Sequence, residues 1–406
     1  MSEWKKVKLG DLYTVHNGLS KSKDFFGSGY PFLTFSNVFN NWFLPDKLEA
    51  LVESTDKDRE SFSIHKGDVF ITRTSETMDE LGMSSVALKD YPNATFNGFT
   101  KRLRPKNDDI LPEYIGYYLR SKKFRNKFLA FSSMTTRASL ANSDLLNMEV
   151  EVPEKNVQRN IANTLSRYDS LIENYQKQIK LLEEAAQRLY KEWFVDLRFP
   201  GYENTKIVDG LPEGWKKKQI KDICNLITSG GTPSRNNKDF WNNGNIKWVK
   251  TKELNDTWII DTEEYITEAG LNNSSAKLFP SNTILMAIYA SPTLGRLGIL
   301  GHEACCNQAA LGFIPNKFVS WQWLFYKLYE LRDKFNSIAR GAGQQNISAV
   351  VVKDTEIVVP DKNMIDKYTS FVAGIFNQQK KLICKIKLLT EARDRMLPKL
   401  MNGEFL

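Results

Sequence analysis

The chain has 406 residues, 41% of them hydrophobic and 26% charged, with a formal net charge of +8 and an isoelectric point near 9.0. That length exceeds one ordinary core, at roughly 150 residues per domain, so two or three domains are expected. Its composition is that of a soluble globular protein. No apolar run reaches the roughly 18 residues a bilayer span needs, and the polar start reads as lacking a signal peptide. The cysteines, Cys224, Cys305, Cys306 and Cys384, form no CxxC pair, which argues against a disulfide framework or a zinc site and fits a reducing cytoplasm. The basic balance favours a polyanionic partner, because Lys and Arg replace counterions on phosphate.

In chain order, the first element is a short β-run opening at Glu3-Trp4-Lys5-Lys6-Val7, followed by a polar loop holding Ser20, Lys21 and Lys23. β-type runs at Tyr30-Pro31-Phe32-Leu33-Thr34 and Lys66-Gly67-Asp68-Val69-Phe70-Ile71 come next, the second leading into Arg73, Thr74 and Ser75. A helix is expected over 112–129. A polar stretch with Thr135, Thr136 and Arg137 precedes an exit segment, Glu149-Val150-Glu151-Val152-Pro153.

The same order then recurs, and repeats decide architecture before any motif does. Glu213-Gly214-Trp215-Lys216-Lys217 answers the opening, with Trp4 and Trp215 standing 211 positions apart. Glu356-Ile357-Val358-Val359-Pro360 answers the exit 207 positions on, so the second globular part is about four residues shorter. Between them, Asn245-Ile246-Lys247-Trp248-Val249 and Pro280-Ser281-Asn282-Thr283-Ile284-Leu285 match the two inner runs only faintly, and a helix is expected over 320–339. Each part reads as α+β, with its edges kept and its interior diverged.

A long helix follows each exit. In the first, Val157, Ile161, Thr164, Tyr168, Ile172, Tyr175, Ile179, Leu182, Ala186, Leu189 and Trp193 alternate steps of three and four, which is the spacing of a coiled-coil seam. In the second, Tyr368, Phe371, Ile375, Leu382, Ile386, Leu389, Met396 and Leu400 do the same, interrupted by Gln378 and Arg393. The segment 196–214 holds Pro200, Gly201, Gly210, Pro212 and Gly214 and breaks helix. If the helices pair across so short a linker they are antiparallel, giving a dumbbell with pseudo-two-fold symmetry. A helix of about 38 residues spans roughly 55 Å, on the order of one to one and a half turns of B-DNA at about 34 Å each. The expected partition is 1–153 and 215–360 as globular domains, 154–195 and 361–406 as helices with a C-terminal tail, and 196–214 as linker.

Residues for catalysis do not assemble. No Gly-Lys pair exists to end a phosphate-binding loop, and His16, His65 and His302 are too scattered for a metal cluster. Cys305-Cys306 reads as small buried residues of a strand. No cofactor and no metal are expected, and the chain reads as a binder rather than an enzyme.

Reading DNA requires phosphate contacts for position and amide, hydroxyl or Arg groups for base edges. The candidates in the first part are Ser20, Lys21, Lys23, Arg73, Thr74, Ser75, Thr135, Thr136 and Arg137. In the second they are Ser229, Thr232, Ser234, Arg235, Lys250, Lys252, Tyr289, Arg296, Gln344, Gln345 and Asn346. Two basic runs, Lys101-Arg102-Leu103-Arg104 and Lys122-Lys123-Phe124-Arg125, are weaker candidates for phosphate.

Taken together, the openings at Trp4-Lys5 and Pro212-Glu213-Gly214-Trp215, Ser229-Gly230-Gly231-Thr232-Pro233, Gly341-Ala342-Gly343-Gln344-Gln345-Asn346-Ile347-Ser348, the Glu-x-x-x-Pro exits at Glu149 and Glu356, both long helices and the closing Leu397-Pro398-Lys399-Leu400 resemble the specificity subunits of type I restriction–modification systems. The resemblance covers essentially the whole chain. It implies two target recognition domains, each reading half of a bipartite double-stranded DNA sequence. It implies an antiparallel coiled coil that fixes their spacing and docks two methyltransferase subunits, with restriction subunits added to the complex. Catalysis would lie with those partners, in the cytoplasm and away from membranes. A modification-only complex, or a coiled-coil scaffold, are the alternative readings. At its 207-position counterpart Gly343-Gln344-Gln345 meets Thr136-Arg137-Ala138, so the glutamine reading applies to the second domain alone.

Overall fold

A computed structural model describes residues 4–75, 80–131, 133–134, 138–139, 141–289, 293–341 and 346–404. The candidates Thr135, Thr136, Arg137, Gln344 and Gln345 lie outside the described residues. The chain divides into two compact units, Met1–Leu171 with Leu389–Leu406, and Ile172–Leu388.

In the first unit, the opening strand Lys5–Lys8 pairs antiparallel with the exit strand Glu149–Val152, Lys5 opposite Val152. In the second, Lys216–Gln219 pairs with Glu356–Val359, Lys216 opposite Val359. The 211- and 207-position offsets are therefore a strand register. The two sequence edges of each domain close it as one ribbon.

Each unit holds a larger antiparallel sheet with the same core order. In the first the order is Tyr13–Asn17, Thr100–Pro105, Val69–Thr72, Ser84–Val86. The second runs Cys224–Ser229, Ala310–Pro315, Ile284–Ala287, Leu297–Leu300, and adds a parallel edge strand, Thr257–Ile259. Val69–Thr72 and Ile284–Ala287 are buried at every position, as continuous apolar runs covered on both faces should be. A smaller sheet sits beside each. Phe26–Leu33 runs parallel to Thr95–Phe96 in one, and Ile246–Val249 parallel to Cys305–Cys306 in the other. Cys305 and Cys306 are buried strand residues, and burial pushes both thiols up to about 12.

The single helices expected over 112–129 and 320–339 are each two helices. Pro112–Arg120 and Lys122–Phe131 break at Ser121, whose extended backbone ends the first and whose Oγ accepts the Phe124 N–H of the second at 3.3 Å. Trp321–Glu330 and Arg332–Gly341 break at Leu331. Arg120 closes a neighbouring helix end: its Nη2 donates to the carbonyls of Val38, Phe39 and Asn41 at 2.7–2.9 Å, and its Nε to that of Ser84.

The long helices are Lys155–Tyr190, continued by a wider turn over Lys191–Val195, and Lys362–Met401. In the second unit they run antiparallel where they meet. Lys385 lies over Tyr175 and Tyr368 packs against Tyr190, so numbers fall on one helix as they rise on the other. Ile172, Ala186 and Trp193 of the expected seam are buried there. Phe371 departs from expectation at 62% exposed, and Val372, Phe376 and Gln379 are buried instead. Near a globular core the helix must cover that core as well as its partner helix, which rotates the buried stripe by one position.

In the first unit, Leu397, Leu400 and Met401 join Ile161 and Leu165 in the main core. Arg393, an apparent break in the seam, is specific. Its Nη1 donates to Asp169 Oδ1 at 2.7 Å, while the Tyr117 hydroxyl donates to Oδ2 at 2.6 Å. The linker carries a hairpin, Ile207–Val208 with Leu211–Pro212, turned by Asp209 and Gly210 at φ 51° and 77°. No helix among the described residues is long and apolar enough to cross a membrane.

Candidate nucleic-acid interface

Several of the described candidates sit at one end of each large sheet, on the loops its strands feed. In the first unit Ser20 is exposed beyond Tyr13–Asn17, and Lys23 is exposed on the short helix Lys23–Phe25. Lys21 is not free: its Nζ lies 2.9 Å from Asp58 and over the Phe25 ring. Backbone hydrogen bonds with Lys21 beside it hold the Asp58 carboxyl down at about 2. Arg73 leaves the strand Val69–Thr72, and Thr74–Ser75 pairs with Ala138–Ser139, which in turn pairs with Ser133–Met134. The loops after the central strand and before the exit, remote in sequence, thus converge.

The second unit converges the same loops. Exposed Tyr289 bridges antiparallel to Asn346, 207 positions beyond Ser139. Ser229 ends the strand Cys224–Ser229, and the Thr232 hydroxyl donates to Gln308 Oε1. Gly230 and Gly231 are required here, since a Cβ would come within 2.0 Å of the Cys306 carbonyl oxygen and 2.2 Å of that of Ser275. The Ser234 carbonyl accepts the Trp241 indole N–H at 3.1 Å. Arg296 is half-buried on the turn before Leu297–Leu300. Among the described residues no carboxylate lies within ion-pair distance of Lys23, Arg73 or Arg296, which leaves them the basic candidates open to phosphate.

Arg235, Lys250 and Lys252 are differently placed. Arg235 stacks 3.6 Å from the centre of the Trp241 ring and meets Glu264 at 2.6 Å. Lys250 bonds Glu264 at 2.7 Å and Glu263 at 2.9 Å, and Lys252 bonds Glu263 at 2.6 Å. Hydrogen bonds to Glu264 and Glu263 raise the Lys250 ammonium above its ordinary range. Those from Lys252 and Lys250 lower Glu263. Burial opposes ionisation of Glu264, but its Lys250 and Arg235 partners still hold it below the usual carboxylate range. Three candidate cations therefore share two carboxylates of their own chain.

Both weaker basic runs are corrected, save for Lys122, which is exposed. Arg102 is buried and donates to the Ser63 carbonyl, and Arg104 grips buried Asp68 at 2.8 and 2.7 Å, because the strand Thr100–Pro105 is internal to its sheet. Lys101, 5% exposed, donates to Asn142, and burial with Arg73 nearby lowers its amine to about 8. Lys123 is bound to Glu151, and Arg125 to the Leu81 carbonyl.

Sequence reasoning passed over a turn at 97–99 and its counterpart at 307–309. Asn97 N–H donates to the Leu33 carbonyl, Thr100 to Asn97, Leu19 to Phe96, Gly18 to Thr100, and Arg73 to Phe99. In the second unit Asn307 donates to Val249, Ala310 to Asn307, Gly231 to Cys306, Gly230 to Ala310, and Ile288 to Ala309. These five bonds correspond one to one. A sequence signal was present: Asn97 and Asn307 stand 210 positions apart, between the 211 and 207 of the edges.

Residues 1–184 and 212–385 match the family described as type I restriction modification DNA specificity domain, and the chain belongs to that family. It is a specificity subunit with two DNA-recognition domains. It is 26% identical to the MjaIX specificity subunit of Methanocaldococcus jannaschii over 99% of this chain and 93% of that protein. It is 25% identical to the HindI specificity subunit of Haemophilus influenzae, across the full length of both. The solved S subunit from M. genitalium shares its fold, with a TM-score of 0.59 and 16% identity, over 98% of this chain and 96% of that one.

Proposed function

We propose that each domain reads one half of a bipartite double-stranded DNA target. The partition is 1–153 and 215–360 for the readers, 154–195 and 361–406 for the helices, and 196–214 for the linker. The helices form a coiled coil that sets the distance between half-sites and docks two methyltransferase subunits. Restriction subunits join that complex in the cytoplasm, and the chain itself contributes recognition without catalysis. The observation that carries this reading is the repeated turn frame: identical backbone bonding at the loop end of each sheet, with unlike side chains on it. One frame holding two different surfaces is what a target with two unlike halves requires. The candidates from Ser20 in the first domain to Asn346 in the second are assigned to recognition, those outside the described residues on the sequence alone. Among them Lys23, Arg73 and Arg296 serve phosphate, and Thr74, Ser75, Tyr289 and Asn346 lie where the loops converge.

The test is filter binding of the full chain to random-sequence duplex across a salt titration, followed by selection of the preferred sequence. Steep weakening with salt and enrichment of two separated half-sites are expected. Salt-insensitive binding, or enrichment of one uninterrupted site, would refute the reading.

A further inference from the structure

The turns at 97–99 and 307–309 lie between two groups of candidate DNA contacts. In the first unit the turn is clasped by the Ser20 loop on one side and by Arg73 on the other: Gly98 packs so closely on Ser20 Oγ that a Cβ there would come within 2.2 Å of it. In the second it is clasped by the Gly230–Gly231 backbone and by Ile288, the residue before Tyr289. Backbone bonds fix the turn at both ends, so the Phe99 side chain has no structural duty in holding it.

Those side chains differ sharply. Phe99 is 55% exposed, and its backbone N–H is held by Asn97 Oδ1 at 2.6 Å. A lone exposed aromatic is ordinary on a protein surface. This one crowns a rigid turn amid Ser20 and Arg73. Ala309 takes its place in the second unit, where the neighbouring Gln308 is exposed instead. The Thr232 hydroxyl donates to Gln308 Oε1, so the amide NH2 is left to donate elsewhere.

We infer that this turn is a specificity-determining element in both domains, an inference that rests on the DNA reading proposed above. Phe99 makes apolar contact with a thymine methyl in the major groove. Gln308 donates its amide to an acceptor on a base edge in the other half-site. Thr232 acts as a positioning residue, fixing which end of the Gln308 amide faces the base.

The experiment is sequence selection by the full chain from a randomised duplex library at fixed salt, comparing wild type with Phe99→Ala, Phe99→Leu and Gln308→Ala. Phe99→Ala is expected to lose about tenfold discrimination at one base pair of one half-site, and Phe99→Leu to keep most of it. Gln308→Ala is expected to lose a similar factor in the other half-site. Thermal unfolding should be unchanged, since neither side chain fills a core. Variants that select the wild-type motif with undiminished preference overturn the inference while leaving the DNA reading intact. Equal weakening on every sequence also overturns it, because that marks a non-specific contact. A wild-type chain that selects no motif overturns the DNA reading, and this inference with it.

Discussion

Releasing the cations of the second domain from their carboxylates should change how its DNA binding responds to salt. Arg235, Lys250 and Lys252 face Glu263 and Glu264, three positive charges against two negative, so the cluster presents about one net charge to phosphate. Glu263→Gln with Glu264→Gln leaves three. If the two released charges each neutralise a phosphate, the slope of log K against log salt steepens by about 1.8, at roughly 0.9 per phosphate. Between about 50 and 200 mM salt, a slope change of that size makes the double variant lose roughly twelvefold more affinity than wild type. Its random-sequence binding at low salt should correspondingly be tighter. The converse variant, Lys250→Ala with Lys252→Ala, removes the one net charge the cluster presents, so the slope should fall by no more than about 0.9, the share of a single phosphate. Filter binding of both variants across a salt series measures this. A lysine variant whose slope falls by about 2 would refute the reasoning, since it would mean that phosphate displaces the carboxylates.

Two further outcomes follow from buried polar groups. Arg393→Ala leaves the Asp169 carboxylate with the Tyr117 hydroxyl as its remaining partner in the triad, at a cost of about 2–3 kcal/mol. Replacing Asp169 and Arg393 together with leucines should restore most of that loss in urea denaturation; equal losses in the single and double variants would deny that the two are coupled. Lys101, lowered to about 8 by burial and by Arg73, binds its proton more weakly folded than unfolded, where the usual lysine value is about 10.4. The unfolded chain holds more protons between those values, so stability from this group rises with pH across that window, and the full penalty persists below 8. Lys101→Met should therefore be more stable than wild type at pH 7, with the advantage shrinking towards pH 10. A stability difference that is constant with pH would count against this.

The duplicated frame was legible in the sequence alone. Trp4 with Trp215, and the exits at Glu149 and Glu356, have reappeared as the registers of two closing ribbons, because strand ends and prolines act through their nearest neighbours. The long helices were legible for the same reason: their seam repeats every few residues. Buried continuous runs at Val69 and Ile284 likewise declared the central strands. What tertiary structure decided was the partner of each charged or exposed group. Lys250 reads as a phosphate contact until Glu264, fourteen residues on, is folded beside it. Lys101, Arg102 and Arg104 read as a basic run until their strand is placed inside a sheet. Phe371 reads as a seam residue until the nearby core rotates the stripe. Phe99 and Gln308 carry no local pattern at all, and became visible once backbone bonds from three separate segments had closed around their turns. Periodicity is a property of neighbours along the chain, whereas charge compensation and exposure depend on neighbours in space. The scaffold is accordingly written in the sequence, and its reading surface emerges when the loops are brought together.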